Sequence, residues 1–237
     1  DGFNINDKVG ATQPEQLAQT VASLGVDLGI ALDGDGDRVI MADHKGELVD
    51  GDELLYILAA QRHNEQNLGG GVVGTQMSNF GLEEALRCKN IDFVRASVGD
   101  RYVLAELQAR QWLLGGESSG HLLCLDLTST GDGIISALQV LVVMLTTGRS
   151  LNDLKQDMTK YPQHTINIRC HPGAKPTSPT LTKAITAAET KLKGQGRVLL
   201  RPSGTEPVIR ITVEGEDPTE VQTLSKDLAA VVTKELG

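Results

Sequence analysis

Apolar residues recur along this chain in two rhythms, a stripe every three to four positions and short continuous runs. Leu17, Val21 and Leu24 form one stripe of a helix predicted over Pro14–Leu24, with Gly25 as its stop. A buried strand over Leu28–Leu32 follows, then an acidic loop and a second strand over Val39–Ala42. Asp52–Arg62 reads as a helix whose acidic first turn suits the positive end of the macrodipole. Further strands are predicted at Val72–Thr75, Phe93–Ser97, Trp112–Leu114 and His121–Leu125. Helices at Leu82–Arg87, Arg101–Arg110 and Asp132–Leu145 lie among and after them. Such alternation predicts an α/β domain with a mixed or parallel sheet. The tail is different: strands at His164–Cys170, Arg197–Leu200 and Val208–Val213, and helices at Leu181–Leu192 and Pro218–Leu236, make a smaller α+β unit. The boundary is expected near Tyr161-Pro162, because proline disfavours helix in the residue before it.

Composition narrows the class. The 237 residues suit two domains, or one domain with pieces of another, and 40% apolar with 22% charged is an ordinary globular balance. Aromatics are only 3%, which leaves the core to Leu, Val, Ile and Ala. A net charge of −9 argues against a broad nucleic-acid or anionic-membrane surface, while a local phosphate pocket is still open. Cys88, Cys124 and Cys170 show no metal-ligand or C-x-x-C spacing and read as buried free thiols in a reducing cytoplasm. No apolar run reaches the ~18 residues of a membrane span, and no signal peptide is recognised. Ile134–Leu145, broken by Ser136 and Gln139, reads as a buried helix. Opening on Asp1 rather than Met points to a fragment or a processed chain.

The acidic loop Asp33-Gly-Asp-Gly-Asp-Arg38 places three carboxylates at alternate positions between two apolar strands. In extended backbone these face one way, and like charges that converge need a cation. Oxygen ligands alone select a hard ion, Mg²⁺ or Ca²⁺, and Mg²⁺ is preferred because it accepts a few carboxylates plus a phosphate oxygen. An EF-hand would need Gly at the sixth position and Glu at the twelfth, where Arg38 and His44 stand. The plainer alternative is a solvated acidic turn.

Two other loops carry chemistry. Gly115-Gly-Glu-Ser-Ser-Gly-His121 offers Glu and Ser to sugar hydroxyls, though a glycine-rich hairpin turn also accounts for it. Its core matches the G-x-S-x-G nucleophile elbow, but a strand is predicted after it where the elbow requires a helix. Arg201-Pro-Ser-Gly-Thr-Glu-Pro207, followed by Arg210, reads equally as a hairpin turn or as a phosphate cradle of amides, hydroxyls and guanidinium forks. Gly69–Gly74 satisfies G-x-G-x-x-G but runs into a strand, so the dinucleotide reading fails.

Together and in this order, the three loops resemble those of the α-D-phosphohexomutase superfamily. Asp33-Gly-Asp-Gly-Asp-Arg-Val, Val49-Asp-Gly-Asp-Glu-Leu54, Val73-Gly-Thr-Gln-Met-Ser-Asn79, Val98-Gly-Asp-Arg-Tyr-Val103 and Arg201-Pro-Ser-Gly-Thr-Glu-Pro207 are similar to its phosphoglucosamine mutase branch. The resemblance implies a four-domain enzyme, with residues 1–46 ending the second domain, 47–161 forming a mixed-sheet α/β third domain and 162–237 the fourth. It implies conversion of glucosamine 6-phosphate to glucosamine 1-phosphate through a bisphosphate, for cell-wall amino-sugar synthesis. Asp33, Asp35 and Asp37 would hold Mg²⁺, and Arg38 would offset developing charge. Glu117, Ser119 and more weakly His121 would bind the sugar. Arg201, Ser203, Gly204, Thr205 and Arg210 would grip the non-reacting phosphate, and Asp100 and Arg101 would mark the acid/base neighbourhood. The family's phosphoserine lies in a Ser-His-Asn-Pro loop, a tetrapeptide missing here, so the chain alone is expected to be inactive without its N-terminal domains. Rival expectations are a phosphomannomutase/phosphoglucomutase and a non-catalytic sugar-phosphate-binding module. A homodimer is one option for assembly.

Overall fold

The computed structural model describes residues 1–171, 176–203 and 207–236. They form two compact units, Asp1–Thr159 and Lys160–Gly237. In the first, α1 (Glu15–Leu24) ends at Gly25, whose φ of 63° lets its N–H return to the Val21 carbonyl. Strand β1 (Leu28–Leu32) pairs antiparallel with β2 (Val39–Asp43), Leu32 opposite Val39, so the acidic loop is the link of one hairpin. A two-residue strand, β3 (Leu48–Val49), completes this sheet through Met41 and Val49.

Asp50 starts α2 (Gly51–Asn64) with a capping box, accepting the N–H groups of Asp52 and Glu53 while Glu53 accepts that of Asp50. Leu54 through Ala59 are all buried, so this helix is enclosed on every side by the main core. The second sheet comprises β4 (Val72–Thr75), β5 (Phe93–Ala96), β6 (Leu114–Gly116) and β7 (Leu122–Cys124). Their order is β5-β4-β6-β7; β4 runs parallel to β5 and β6, and β7 antiparallel to β6. Helices α3 (Phe80–Cys88), α4 (Asp100–Arg110), α5 (Gly133–Thr147) and α6 (Leu151–Lys155) complete the unit. The expected mixed α/β architecture is observed, and at this level the reading holds.

Several details differ from expectation. Strand β1, expected to be buried, is only half-buried with Ile30 exposed, and Cys88 is exposed. The strand predicted at Trp112–Leu114 lies at Leu114–Gly116 instead. Trp112 returns its N–H to Leu107 and closes α4, while Gly115 packs where an added Cβ would stand 2.8 Å from the Val73 carbonyl. The apolar run Ile134–Leu145 is only half-buried: Ser136, Ala137, Val140 and Val143 face inward, whereas Ile134, Leu138, Val142 and Leu145 are exposed. Strand β3 and helix α6 were not anticipated, being two and five residues long.

The second unit has β10 (Val208–Gly215) at the centre of an antiparallel sheet between β8 (Gln163–Arg169) and β9 (Gly196–Pro202). Ile209, Ile211 and Val213 turn toward Leu181 of α7 (Pro179–Leu192) and Leu224, Leu228 and Val232 of α8 (Pro218–Leu236). By the two-residue period of a strand, Arg210, Thr212 and Glu214 share the opposite face. There Thr212 bonds Thr165, and Glu214 holds Arg197 and Gln163.

Candidate functional site

Asp33, Asp35 and Asp37 each turn a carboxylate oxygen to within 4.8 Å of the others. Strand alternation is not what gathers them. The hairpin link folds back at Gly36, whose φ is 74° and whose N–H reaches the Asp33 carbonyl. Asp33, with its side chain 3% exposed, also accepts the Arg38 N–H at 3.2 Å. The Arg38 guanidinium stands 3.6 Å from Asp33 and 4.0 Å from Asp37. Three carboxylates against that one cation leave two formal negative charges. Asp37 Oδ1 is buried without a hydrogen-bond partner. A buried acceptor of this kind costs about 1–3 kcal/mol unless something else satisfies it. The donor set is all oxygen, anionic and partly desolvated, and it fits a hard divalent cation.

The turn between β6 and β7 lies against this loop. Glu117 donates its N–H to His121, and Gly120, at φ 94°, donates to Glu117. The Val39 N–H meets the Gly120 carbonyl at 3.0 Å, and Arg38 and His121 form a β-bridge. The buried His121 brings Nδ1 to 3.0 Å from Asp37 Oδ2. Glu117 Oε1 accepts the Gly99 N–H at 2.9 Å, which ties the turn to the start of α4. Asp100 and Arg101 follow there, both exposed, with the Arg101 guanidinium 4.5 Å above the Tyr102 ring and bonded to its hydroxyl. Ser119 is exposed, and Ser118 gives its carbonyl to the Gly51 N–H. The structure thus brings Asp33, Asp35, Asp37, Arg38, Glu117 and His121 together. Strand β7 after Gly120 excludes the strand–turn–helix of a nucleophile elbow.

The arginine motif belongs to the second unit. Arg201 is a strand residue of β9, not a loop residue, and faces Arg210 of β10 directly across the ladder. Like charges opposite one another destabilise a sheet, and an anion between them reverses the sign. Ser203 donates its N–H to Val208 at 2.8 Å. Gly204 and Thr205 lie outside the described residues.

Sequence reasoning passed over the glycines that make these approaches fit. A Cβ at Gly51 would stand 2.0 Å from the Glu117 carbonyl, and one at Gly120 2.1 Å from that of Val39. Gly51 sits within the quoted motif Val49–Leu54, so a signal was present, but no spacing rule says which backbone a glycine must meet.

Two family models match the chain. One, "Phosphoglucomutase/phosphomannomutase, alpha/beta/alpha domain III", matches residues 50–161, and "Phosphoglucomutase/phosphomannomutase, C-terminal domain" matches residues 166–231. A phosphoglucosamine mutase of Thioalkalivibrio sulfidiphilus is 55% identical over 236 residues, 98% of this chain and 52% of the relative. Another, of Methylobacillus flagellatus, is 56% identical, covering 99% of this chain and 52% of its own length. The chain therefore spans about half the length of the curated relatives it matches. Among solved structures, an Aspergillus fumigatus N-acetylphosphoglucosamine mutase in complex with GlcNAc-6P and magnesium superposes with a TM-score of 0.75 at 19% identity. That match covers 96% of this chain and 57% of the other. A phosphoglucomutase/phosphomannomutase family protein of Burkholderia thailandensis gives 0.73 at 18% identity, covering 94% of this chain and 50% of that one. At these identities the structural likeness is one of fold.

Proposed function

Because the chain belongs to the phosphoglucomutase/phosphomannomutase family of the α-D-phosphohexomutase superfamily, we propose that it is the metal- and sugar-phosphate-binding portion of a cytoplasmic phosphoglucosamine mutase. In this reading residues 1–46 end the second domain, 47–161 form the third and 162–237 the fourth. The reaction is the interconversion of glucosamine 6-phosphate and glucosamine 1-phosphate through a bisphosphate.

The observation that carries the reading is the convergence of Asp33, Asp35 and Asp37, one Asp37 oxygen being buried without a hydrogen bond, beside the Glu117–His121 turn. Those three carboxylates are assigned to Mg²⁺, which when bound draws negative charge from a phosphoryl group. Arg38, already facing two of them, is placed to offset charge that develops on phosphoryl oxygens. Glu117, one oxygen fixed by Gly99, and the exposed Ser119 are assigned to sugar hydroxyls. Arg201 and Arg210, with Ser203, Gly204 and Thr205, are assigned to the phosphate that is not reacting. Asp100 and Arg101 at the head of α4 are assigned to the neighbourhood where a proton is exchanged with a sugar hydroxyl.

Calorimetric titration with glucosamine 6-phosphate in Mg²⁺ tests the assignment. Saturable binding is expected, stronger than for mannose 6-phosphate. The Arg201→Ala variant should bind about 10- to 100-fold more weakly, as the loss of a charge-assisted bond predicts. Equal binding by that variant would remove the phosphate role, and a preference for mannose 6-phosphate would move the reading to phosphomannomutase. The chain by itself is expected to show no turnover, and steady conversion by a pure sample would refute that.

A further inference from the structure

His121 is buried with the Nδ1 edge of its ring turned to the acidic loop. Its side chain is 6% exposed, and Nδ1 lies 3.0 Å from Asp37 Oδ2. On the other edge stands Gly131, where a Cβ would fall 2.3 Å from Nε2 and 2.5 Å from Cε1. A carboxylate only accepts, so Nδ1–H donates to Asp37 and fixes one of its two oxygens. The other oxygen, Oδ1, is buried and accepts no hydrogen bond, with the Arg38 guanidinium 4.0 Å away. One end of Asp37 is anchored and the other is aimed. The main chain supports the same alignment, through Val39 N–H to the Gly120 carbonyl and Gly133 N–H to the Gly36 carbonyl at 2.9 Å.

We propose that His121 is a positioning residue for the cation site, holding Asp37 so that its Oδ1 faces the ion, and that Gly131 is the space the ring needs to reach it. The proposal rests on the metal reading of Asp33, Asp35 and Asp37. It gives His121 a task within the site that runs through Nδ1. Gly131 in turn acts on the ion only through the ring.

Mn²⁺ alone is the probe, its binding to the chain followed by loss of the free-ion electron paramagnetic resonance signal, with circular dichroism of each variant as the check on folding. His121→Ala is expected to raise the Kd about 10- to 100-fold, the usual effect of losing a partner that orients a metal ligand. His121→Asn, whose amide N–H can stand where Nδ1–H stood, is expected to stay within about 3-fold of the unaltered chain. Gly131→Ala should raise the Kd about 3- to 10-fold by displacing the ring, and should add nothing in the His121→Ala background, because effects through one contact do not sum. An unchanged Kd in His121→Ala, or additive effects of the two changes, would overturn the proposal. So would a loss in His121→Asn equal to that in His121→Ala. If His121→Ala fails to fold, Gly131→Ala and His121→Asn decide it by the same criteria. Asp35→Asn separates the two levels. If it weakens Mn²⁺ binding while the His121 and Gly131 variants do not, only this proposal falls. If the unaltered chain binds no Mn²⁺, the metal reading falls and takes the proposal with it.

Discussion

Asp43 sits at 0% exposure at the end of β2 and is ionised there by its partners. Burial pushes its carboxyl up, but hydrogen bonds from Lys155 and Asn152, both at 2.8 Å, and from the N–H groups of Glu47 and Lys45 outweigh it and hold it below the usual carboxylate range. A lowered folded-state value means that the pair stabilises the fold above the ordinary carboxylate pKa of about 4, and that the gain fades as pH falls through the lowered value. On the alkaline side burial pulls Lys155 down, yet Asp43 and Glu47 hold it above its usual range, so its share persists until lysine itself deprotonates. Asp43→Asn is expected to cost about 3 kcal/mol at neutral pH, as removal of one partner from a buried pair does. Urea unfolding at a series of pH values checks this, and the gap from the unaltered chain should close toward acid. None of this was legible from sequence. Asp43 and Asn152 are 109 residues apart, and neither stands in a motif. The acidic loop was legible for the opposite reason, since its three carboxylates are neighbours in the chain.

Among elements, the start of α2 does more than begin a helix. Gly51 lies so close to the Glu117–Gly120 turn that a Cβ would stand 2.0 Å from the Glu117 carbonyl and 2.6 Å from the Gly120 nitrogen. Gly51→Ala should therefore cost about 1–3 kcal/mol through overpacking and, by shifting the turn, weaken glucosamine 6-phosphate binding. Gly148→Ala is the comparison: its φ is 66° and nothing lies within 4 Å, so it should cost about 1–2 kcal/mol while leaving binding unchanged. Thermal melts and calorimetry on the two variants separate these effects, and normal ligand binding by Gly51→Ala would refute the account. Most elements could be read from apolar rhythm because the core takes one face of each. Helix α5 was read at Asp132–Leu145, but its covered face was not, since an almost wholly apolar run carries no phase to say which side is covered. The signal for α6 was present in Ser150 and Asp153, which cap it reciprocally, but five residues are too few for a period to show.

At the scale of the molecule, each unit has a core of its own, and the smaller stands close to the size at which a core barely suffices. The segment Lys160–Gly237, produced by itself, is expected to unfold in one cooperative transition. Leu181→Ala should remove about 3 kcal/mol from it and abolish that transition, because Leu181 is wholly buried where α7 meets the sheet. Differential scanning calorimetry of the segment decides the matter, and a surviving sharp transition in the variant would show that the core is less marginal. In the larger unit, the turn that bears Glu117, Ser118 and Ser119 is secured by main-chain bonds from Gly51, Gly120, His121 and Val39, with the Glu117 carboxylate tied to Gly99. To that frame Ser118 lends only its carbonyl. A lineage can therefore exchange the side chains at 118 and 119 without reshaping the frame. If Ser119 meets a sugar hydroxyl as proposed, drift in sugar preference is open to a single codon change there, while positions 51, 120 and 131 have no room for a side chain.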